Sequence, residues 1–445
     1  MSLLAQSSLE EILQSAGPQI YGTVAATDGM SMRIGGLAGW VKLGDGISVT
    51  TSSNRTVRAK IIALDGELAT AFAYESLAGV AGGDVAKLER AGDQIFPCDQ
   101  WLGRIIDPFG QCMEGAPLRL GDQQCALDQA APNAAKRKSL GARLATGHCV
   151  FDTLLPLCEG QRLGLFAGAG FGKSMLLGEL AQRVEADVTV VGLIGERGRE
   201  VRSFVNDTLG VEGMKKAVVI ASTADQSPLA KKQGAYTAMA VAEYFRDRNK
   251  KVLLVFDSLT RFAEAHREVA VSAGEPPSLH AFPPSTFRTI ASLVERAGPG
   301  EEGKGDITSI FSVLVQGSDM NEPVADMIRG ILDGHVVLER KIAERGRFPA
   351  VDISRSVSRS LPAAANEDEN ALLIEARSII RAYEGAETIV RAGLYADGSD
   401  PQVDRALKLW PALDAFIGEK QEAGPKESFE RLRAILHSVD EEENA

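Results

Sequence analysis

The chain has 445 residues, 44% hydrophobic and 24% charged, and carries a net charge of −12. That length exceeds one ordinary core and points to two or three domains, and the acidic balance weighs against a nucleic-acid-binding surface. Apolar runs stay as short as Val252–Phe256, the N-terminus lacks a signal-peptide pattern, and the five cysteines show no CxxC spacing, which excludes a membrane span and fits a reducing cytoplasm better than a disulfide framework or a zinc site.

Residues 1–18 are expected to hold a short amphipathic helix. Ser8 and Glu11 match a capping box, Leu9, Ile12 and Leu13 fall at helical spacing, and Gly17-Pro18 end it. A packed cap and a docking handle for a partner are both open readings. Residues 19–92 read as a small antiparallel β-barrel. The β-prone runs Tyr21–Ala25, Gly39–Leu43, Ile47–Thr51, Thr56–Leu64 and Leu68–Ala73 alternate with turn residues.

Residues 93–362 form the second expected domain. It opens with an irregular connector in which Trp101–Asp107 reads as a strand. Strand-like runs then follow at Arg162–Ala167, Val188–Ile194, Ala217–Ser222, Lys251–Phe256 and Ile307–Val315. Helical runs lie between them at Lys173–Val184, Glu200–Leu209, Ala235–Arg246 and Ser285–Arg296. Such alternation predicts a parallel sheet flanked by helices, with ligands at the carboxyl ends of the strands. Residues 363–445 read as helical, with patterned segments at Glu367–Tyr383 and Ala386–Leu394 and a last helix that turns Phe429, Leu432, Ile435, Leu436 and Val439 to one face.

The stretch Ala167-Gly168-Ala169-Gly170-Phe171-Gly172-Lys173-Ser174 stands between a buried strand and a helix start. Glycines let backbone N–H groups approach phosphate oxygens, and the helix N-terminus adds partial positive charge. A lysine here reaches the β and γ phosphates, and Ser174 can ligate Mg²⁺. Asp257 ends an apolar strand downstream, where an acid holds Mg²⁺ through water or caps the following helix. Glu196 follows another strand, where a carboxylate either polarises water or remains a solvated loop charge. Taken alone, Arg359 reads as a surface arginine and Phe348 as a packing aromatic.

Together the motifs carry a resemblance. They are Ala-Gly-Ala-Gly-Phe-Gly-Lys-Ser (167–174), Gly-Glu-Arg-Gly-Arg-Glu-Val (195–201), Asp-Ser-Leu-Thr-Arg-Phe-Ala (257–263), Gly-Glu-Pro-Pro (274–277), Phe-Pro-Pro-Ser (282–285), the run 338–352 and Ser-Val-Ser-Arg (356–359). The chain resembles the flagellar and virulence type III secretion ATPases, relatives of the catalytic β subunit of F-type ATP synthase, and the flagellar branch above all. The resemblance covers nearly the whole length and extends through Tyr395–Pro401 and Leu409-Trp410-Pro411.

The resemblance implies an α/β architecture: an N-terminal β-barrel, a central RecA-like P-loop ATPase domain with a parallel sheet, and a C-terminal helical domain, assembled as a ring of six. It implies ATP and Mg²⁺ as ligands, with nucleotide bound by Gly168, Ala169, Gly170, Phe171, Gly172, Lys173 and Ser174. Glu196 would polarise the attacking water with Arg197 beside it, and Ser174 and Asp257 would hold Mg²⁺, the latter through water. Arg359 would be an arginine finger reaching the neighbouring subunit's site, and Phe348 and Tyr395 would flank the adenine. The implied partners are a stator-like regulator, a stalk-like protein, an export gate membrane protein, and export substrates with their chaperones. The implied location is the cytoplasm, at the face of the inner-membrane export apparatus. The competing readings are a virulence-type export ATPase, a rotary ATP synthase subunit, a non-catalytic ring member and a hexameric RNA translocase. Relatives usually carry Gly-Tyr where this chain has Ala281-Phe282, which bears on pore contacts and not on catalysis.

Overall fold

The computed structural model describes residues 19–89, 93–168, 170–278, 282–315, 320 and 322–443. The expected helix at 7–16 lies outside them. Strands β1 (Tyr21–Asp28), β2 (Ser31–Gly35), β3 (Gly46–Thr50), β4 (Thr56–Asp65), β5 (Leu68–Ala73) and β6 (Val85–Glu89) close a barrel in the order β1-β2-β5-β4-β3-β6. Alternation along the strands turns Met32, Ile34, Val49, Val57, Ala59 and Ile61 into its interior. One expected strand is absent: Gly39–Leu43 forms turns and irregular chain. The run sits between Gly36 and Gly44, both in the left-handed region at φ 82° and 93°. Leu37 and Val41 are buried in the barrel core while Trp40 and Leu43 face outward, so the apolar residues fold in as a plug and do not alternate along a ladder.

After the barrel, β7 (Gln94–Ile95) pairs with β9 (Cys125–Ala126) in a small ribbon. Only β8 (Ile105–Ile106) of the expected strand 101–107 is extended, because Trp101 closes a helical turn and is buried. The main sheet contains β10 (Arg162–Ala167), β11 (Val188–Glu196), β12 (Ala217–Thr223), β13 (Val252–Asp257), β14 (Ile307–Leu314), β15 (Gly334–Leu338) and β16 (Val351–Ser358). Its order is β16-β15-β10-β14-β13-β11-β12-β8. All neighbours are parallel except β15 and β16.

Helices cover both faces, as a parallel sheet requires. They are α1 (Cys149–Asp152), α2 (Lys173–Arg183), α3 (Gly198–Ser203), α4 (Gly210–Lys215), α5 (Pro228–Arg246), α6 (Leu259–Ser272), α7 (Ser285–Glu295), α8 (Pro323–Ile331) and α9 (Arg340–Glu344). Two cores result. Leu163 and Leu165 of β10 pack with α2 and the C-terminal helices, whereas Phe166 packs with α5, α6 and α7. The expected helix at Glu200–Leu209 is broken, since α3 stops at Ser203 and Phe204–Leu209 is a widened π-helical turn. That turn presses Thr208 onto α2 at Gly178, where a Cβ would lie 1.6 Å from Thr208 Cγ2.

The chain ends in α10 (Glu367–Arg391), α11 (Pro401–Gly418) and α12 (Pro425–Glu443). Helix α10 runs unbroken through Gly385 and does not divide after Tyr383 as expected. A capping box between Asn366 and Glu369 starts it, and Leu372, Leu373, Ala376, Ile379 and Ile380 bury one stripe, which outweighs the roughly 1 kcal/mol cost of one glycine. Phe429, Leu432, Ile435 and Leu436 are buried as their spacing predicts. Among the described residues no helix is long and apolar enough to cross a membrane.

Candidate active site

The site starts where β10 runs out. Its buried residues end at Ala167, and the chain then turns through Gly170 and Gly172 at φ 87° and 79°. Only glycine adopts these angles without strain, and Gly172 is the N-cap of α2. At Gly168 a Cβ would lie 2.5 Å from the Phe171 ring, so the loop closes on its own aromatic. Ala169 lies outside the described residues. The first two residues of α2 are Lys173 and Ser174, at the positive end of the helix.

Asp257, at the tip of β13, is almost completely buried. Its Oδ1 accepts from the Lys173 ammonium and from Ser312 Oγ at 2.5 Å. Two donors on one oxygen satisfy a carboxylate that could not otherwise stay buried. Asp257 thus fixes the lysine at the cleft floor before any phosphate arrives.

Glu196 reaches the same place from β11. The register against β12 shifts between Ile194 and Glu196, and Gly195 between them adopts φ 77°. A Cβ on Gly195 would lie 2.9 Å from Arg261. The bulge therefore redirects the strand end and lets α6 approach. Lys173, Ser174, Glu196 and Arg261 line one cleft of 540 Å³. Burial pushes the Glu196 carboxyl up to about 7, with the Asp257 charge adding to the rise and Lys173 opposing it. A hydrogen bond with Glu200 also favours the protonated form. Arg197 sits on the cleft rim, two-thirds exposed and 3.6 Å from Glu200.

A second, larger cleft of 1470 Å³ lies on the other side of the phosphate loop and is lined by Phe171, Arg267, Phe282 and Phe348 among others. Phe348 stands beside the loop: a Cβ on Gly172 would meet its ring at 3.2 Å. The neighbouring Arg347 reaches Asp414 of α11 at 3.1 Å and so ties this segment to the helical domain. Tyr395 is not brought to either cleft. Its hydroxyl donates to Asp404 Oδ1 at 2.8 Å and contacts the Asp400 carbonyl at 3.1 Å, which closes the turn before α11.

Arg359 is also elsewhere. Strand β16 runs antiparallel to β15 and returns the chain to the starting end of β10. The Arg359 backbone N–H donates to the Asp333 carbonyl at 2.9 Å, and Asp333 in turn pairs with Arg162, the first residue of β10. The phosphate loop begins five residues further along that strand, roughly 16 Å at 3.3 Å per residue. The exposed guanidinium stands on the sheet's edge strand and cannot serve its own chain's loop.

Three residues of the site escaped the sequence reading. Ser312, the second donor to Asp257, had a signal in principle, a serine inside the apolar strand 307–314. Arg261 lay within a quoted motif without an assigned role, yet it lines both clefts and pairs with Glu264 at 2.8 Å. Glu200 contacts Glu196 because α3 begins directly after the strand, which places Glu200 one turn away.

Residues 147–358 match the ATP synthase alpha/beta family, nucleotide-binding domain, and residues 365–438 match the T3SS EscN ATPase C-terminal domain. The flagellum-specific ATP synthase of Caulobacter vibrioides is 42% identical over 94% of this chain and 96% of its own length. That of Salmonella typhimurium is 44% identical over 79% of this chain and 77% of its own. Among solved structures, the assembled ATPase EscN from the enteropathogenic E. coli type III secretion system superposes with a TM-score of 0.87 at 34% identity, covering 93% of this chain and 100% of that one. EscN in complex with its central stalk EscO gives 0.83 at 34% identity, with 93% and 100% covered.

Proposed function

Because this chain belongs to the family of the flagellum-specific ATP synthases, within the ATP synthase alpha/beta family, we propose that it is the ATP-hydrolysing motor of flagellar protein export. The observation that carries the reading is the convergence of Lys173, Ser174 and Glu196 on one cleft at the carboxyl ends of β10 and β11, with Asp257 of β13 buried behind Lys173 and bonded to it. A non-catalytic ring member has no use for Glu196, a half-buried carboxylate on the same cleft as the phosphate lysine.

Backbone N–H groups of the loop and the start of α2 bind the triphosphate, and the Lys173 ammonium moves from Asp257 to the β and γ phosphates. Ser174 Oγ and, through water, the Asp257 carboxylate would hold Mg²⁺: both offer hard oxygen ligands, the first on the cleft wall and the second behind Lys173, which suits an ion that arrives with phosphates. Bound there, Mg²⁺ supplies charge neutralisation at those phosphates. The ionised Glu196 accepts a hydrogen bond from the attacking water and orients it towards the γ-phosphate. Phe348 offers a face to the adenine, while the Tyr395 hydroxyl is engaged in its own turn. Arg197 serves the rim and holds Glu200 near Glu196.

Arg359 acts on the neighbouring subunit's site, which requires a closed ring, and six copies of this chain form it. A stalk-like partner occupies the ring's axis, as EscO does with EscN. The motor works at the cytoplasmic face of the export apparatus on export substrates and their chaperones. Deleting the gene in the native host is expected to abolish filament assembly, and the Glu196→Gln allele is expected not to restore it. Intact flagella together with loss of a needle-type secretion would move the assignment to a virulence system. The lower identity to EscN than to the flagellar relatives argues against that outcome.

A further inference from the structure

We infer that Asp333 and Gln161 are positioning residues for Arg359, so that one strand, β10, carries the phosphate loop of its own site at one end and the anchor of the arginine given to the neighbouring site at the other. The inference rests on the reading of Arg359 as a residue acting in trans. The anchor is dense. Arg162 donates from Nε to Asp333 Oδ2 at 2.9 Å, from a guanidinium nitrogen to Oδ1 at 3.1 Å, and from its backbone N–H to Oδ2 at 3.0 Å. The Asp333 backbone N–H donates back to the Arg162 carbonyl at 2.9 Å. The Asp333 carbonyl then accepts from the Arg359 backbone N–H at 2.9 Å and from Gln161 Nε2 at 3.2 Å.

Gln161 is wholly buried and completes the cage. Its Nε2 also donates to Ser358 Oγ at 2.9 Å, and its Oε1 accepts from the Cys158 backbone N–H at 2.9 Å. Ser358 Oγ donates to the Pro156 carbonyl at 2.7 Å. Ser358, which precedes Arg359 in the chain, and the Arg359 backbone are thereby fixed to the start of β10 or to the loop before it, while among the described residues the guanidinium pairs with no carboxylate. It makes a weak 3.4 Å approach to the Arg329 carbonyl. A rigid base under an unpaired, exposed cation is how a group is presented to a partner's transition state. The bidentate grip of Arg162 on Asp333 resists rotation of that base, which a single bond would not.

The test uses the full-length protein and two variants of the anchor. Asp333→Asn weakens the grip of Arg162, whose remaining pair with Glu295 at 2.7 Å keeps it satisfied, and Gln161→Leu removes the cage from the other side. Each is expected to lower kcat about 10–100-fold with the KM for ATP unchanged and rings of the same size still formed, at some loss of melting temperature. Each is then co-expressed with Lys173→Ala, whose own site is dead but whose Arg359 and anchor are intact. Mixed rings are expected to hydrolyse ATP well above the sum of the separate variants, because a sound phosphate loop now meets a sound finger. Co-expression of Arg359→Ala with Lys173→Ala is the control for the trans reading. Wild-type kcat in both anchor variants would overturn the positioning role. So would loss of activity that Lys173→Ala does not rescue while it does rescue Arg359→Ala, since the defect would then lie in the variant's own site. If Arg359→Ala is not rescued either, the trans reading falls and this inference falls with it.

Discussion

The two ends of β10 show opposite ways of making a functional group ready. At the carboxyl end the groups are held against one another: Asp257 keeps Lys173, and burial raises Glu196 to about 7. At the other end the side chain that matters is left unpaired and its backbone is fixed instead, through Asp333 and Arg162. On the reading proposed above, the first end holds charges that a nucleotide rearranges and the second presents a charge to a neighbouring subunit's site, so that a complete site needs both ends, taken from two subunits.

The largest expected effect separates the ends outright. Arg359→Ala is expected to cut kcat by roughly 10³–10⁵ while calorimetry still registers ATP binding. Near-normal turnover would mean that the second end has no part in the chemistry. Glu196→Gln is expected to cut kcat by roughly 10²–10⁴ and to leave ATP bound through a single turnover. Rapid phosphate release from that variant would remove Glu196 from the role of orienting water.

A pH series sharpens the contrast further. Glu196 must be ionised to act, so kcat/KM is expected to rise with pH up to about 7 and then level, falling about tenfold per unit below that value. The anchor contains no group that the mechanism requires to change protonation, so a variant such as Asp333→Asn should keep the same profile at lower height. The stability sign runs the other way. The Glu196 pKa is raised above its ordinary 4.5, so the folded protein holds a proton that the unfolded chain has released between 4.5 and about 7. Across that window the wild type is expected to lose denaturant stability with rising pH relative to Glu196→Gln. Parallel curves would show that the site exacts no such cost. The smallest effect is expected for Phe348→Ala, about a tenfold rise in KM for ATP with kcat nearly kept, measured against inorganic triphosphate, whose binding should not change.

The first end was legible in the sequence and the second was not. Lys173, Glu196 and Asp257 each follow an apolar run that ends in a parallel strand, and the carboxyl ends of parallel strands meet on one edge. Periodicity alone therefore brought them together. Arg359 required β15 and β16, which the apolar pattern did not reveal. Strand β16 lies at the sheet edge with Ser354, Arg355 and Val357 exposed, so its apolar residues are interrupted, and β15 is five residues long. Only the antiparallel return shows which end of the sheet the arginine occupies. The barrel was legible as a class, but the short strands β2 and β6 were not picked out, and at Gly39–Leu43 two left-handed glycines nearby turn a β-prone run into a plug. Tyr395 could not be placed by its motif, and the structure puts its hydroxyl in the turn before α11, outside the lining of both clefts.

Hydrolysis by a site shared between subunits must depend on assembly. The most direct test is the specific ATPase activity as a function of protein concentration, with the oligomeric state followed in the same samples by light scattering. Activity per subunit is expected to be near zero while the protein is monomeric and to rise as rings form, with Arg359→Ala assembling alike but staying inactive. A constant activity per subunit down to concentrations where only monomers remain would contradict the shared site.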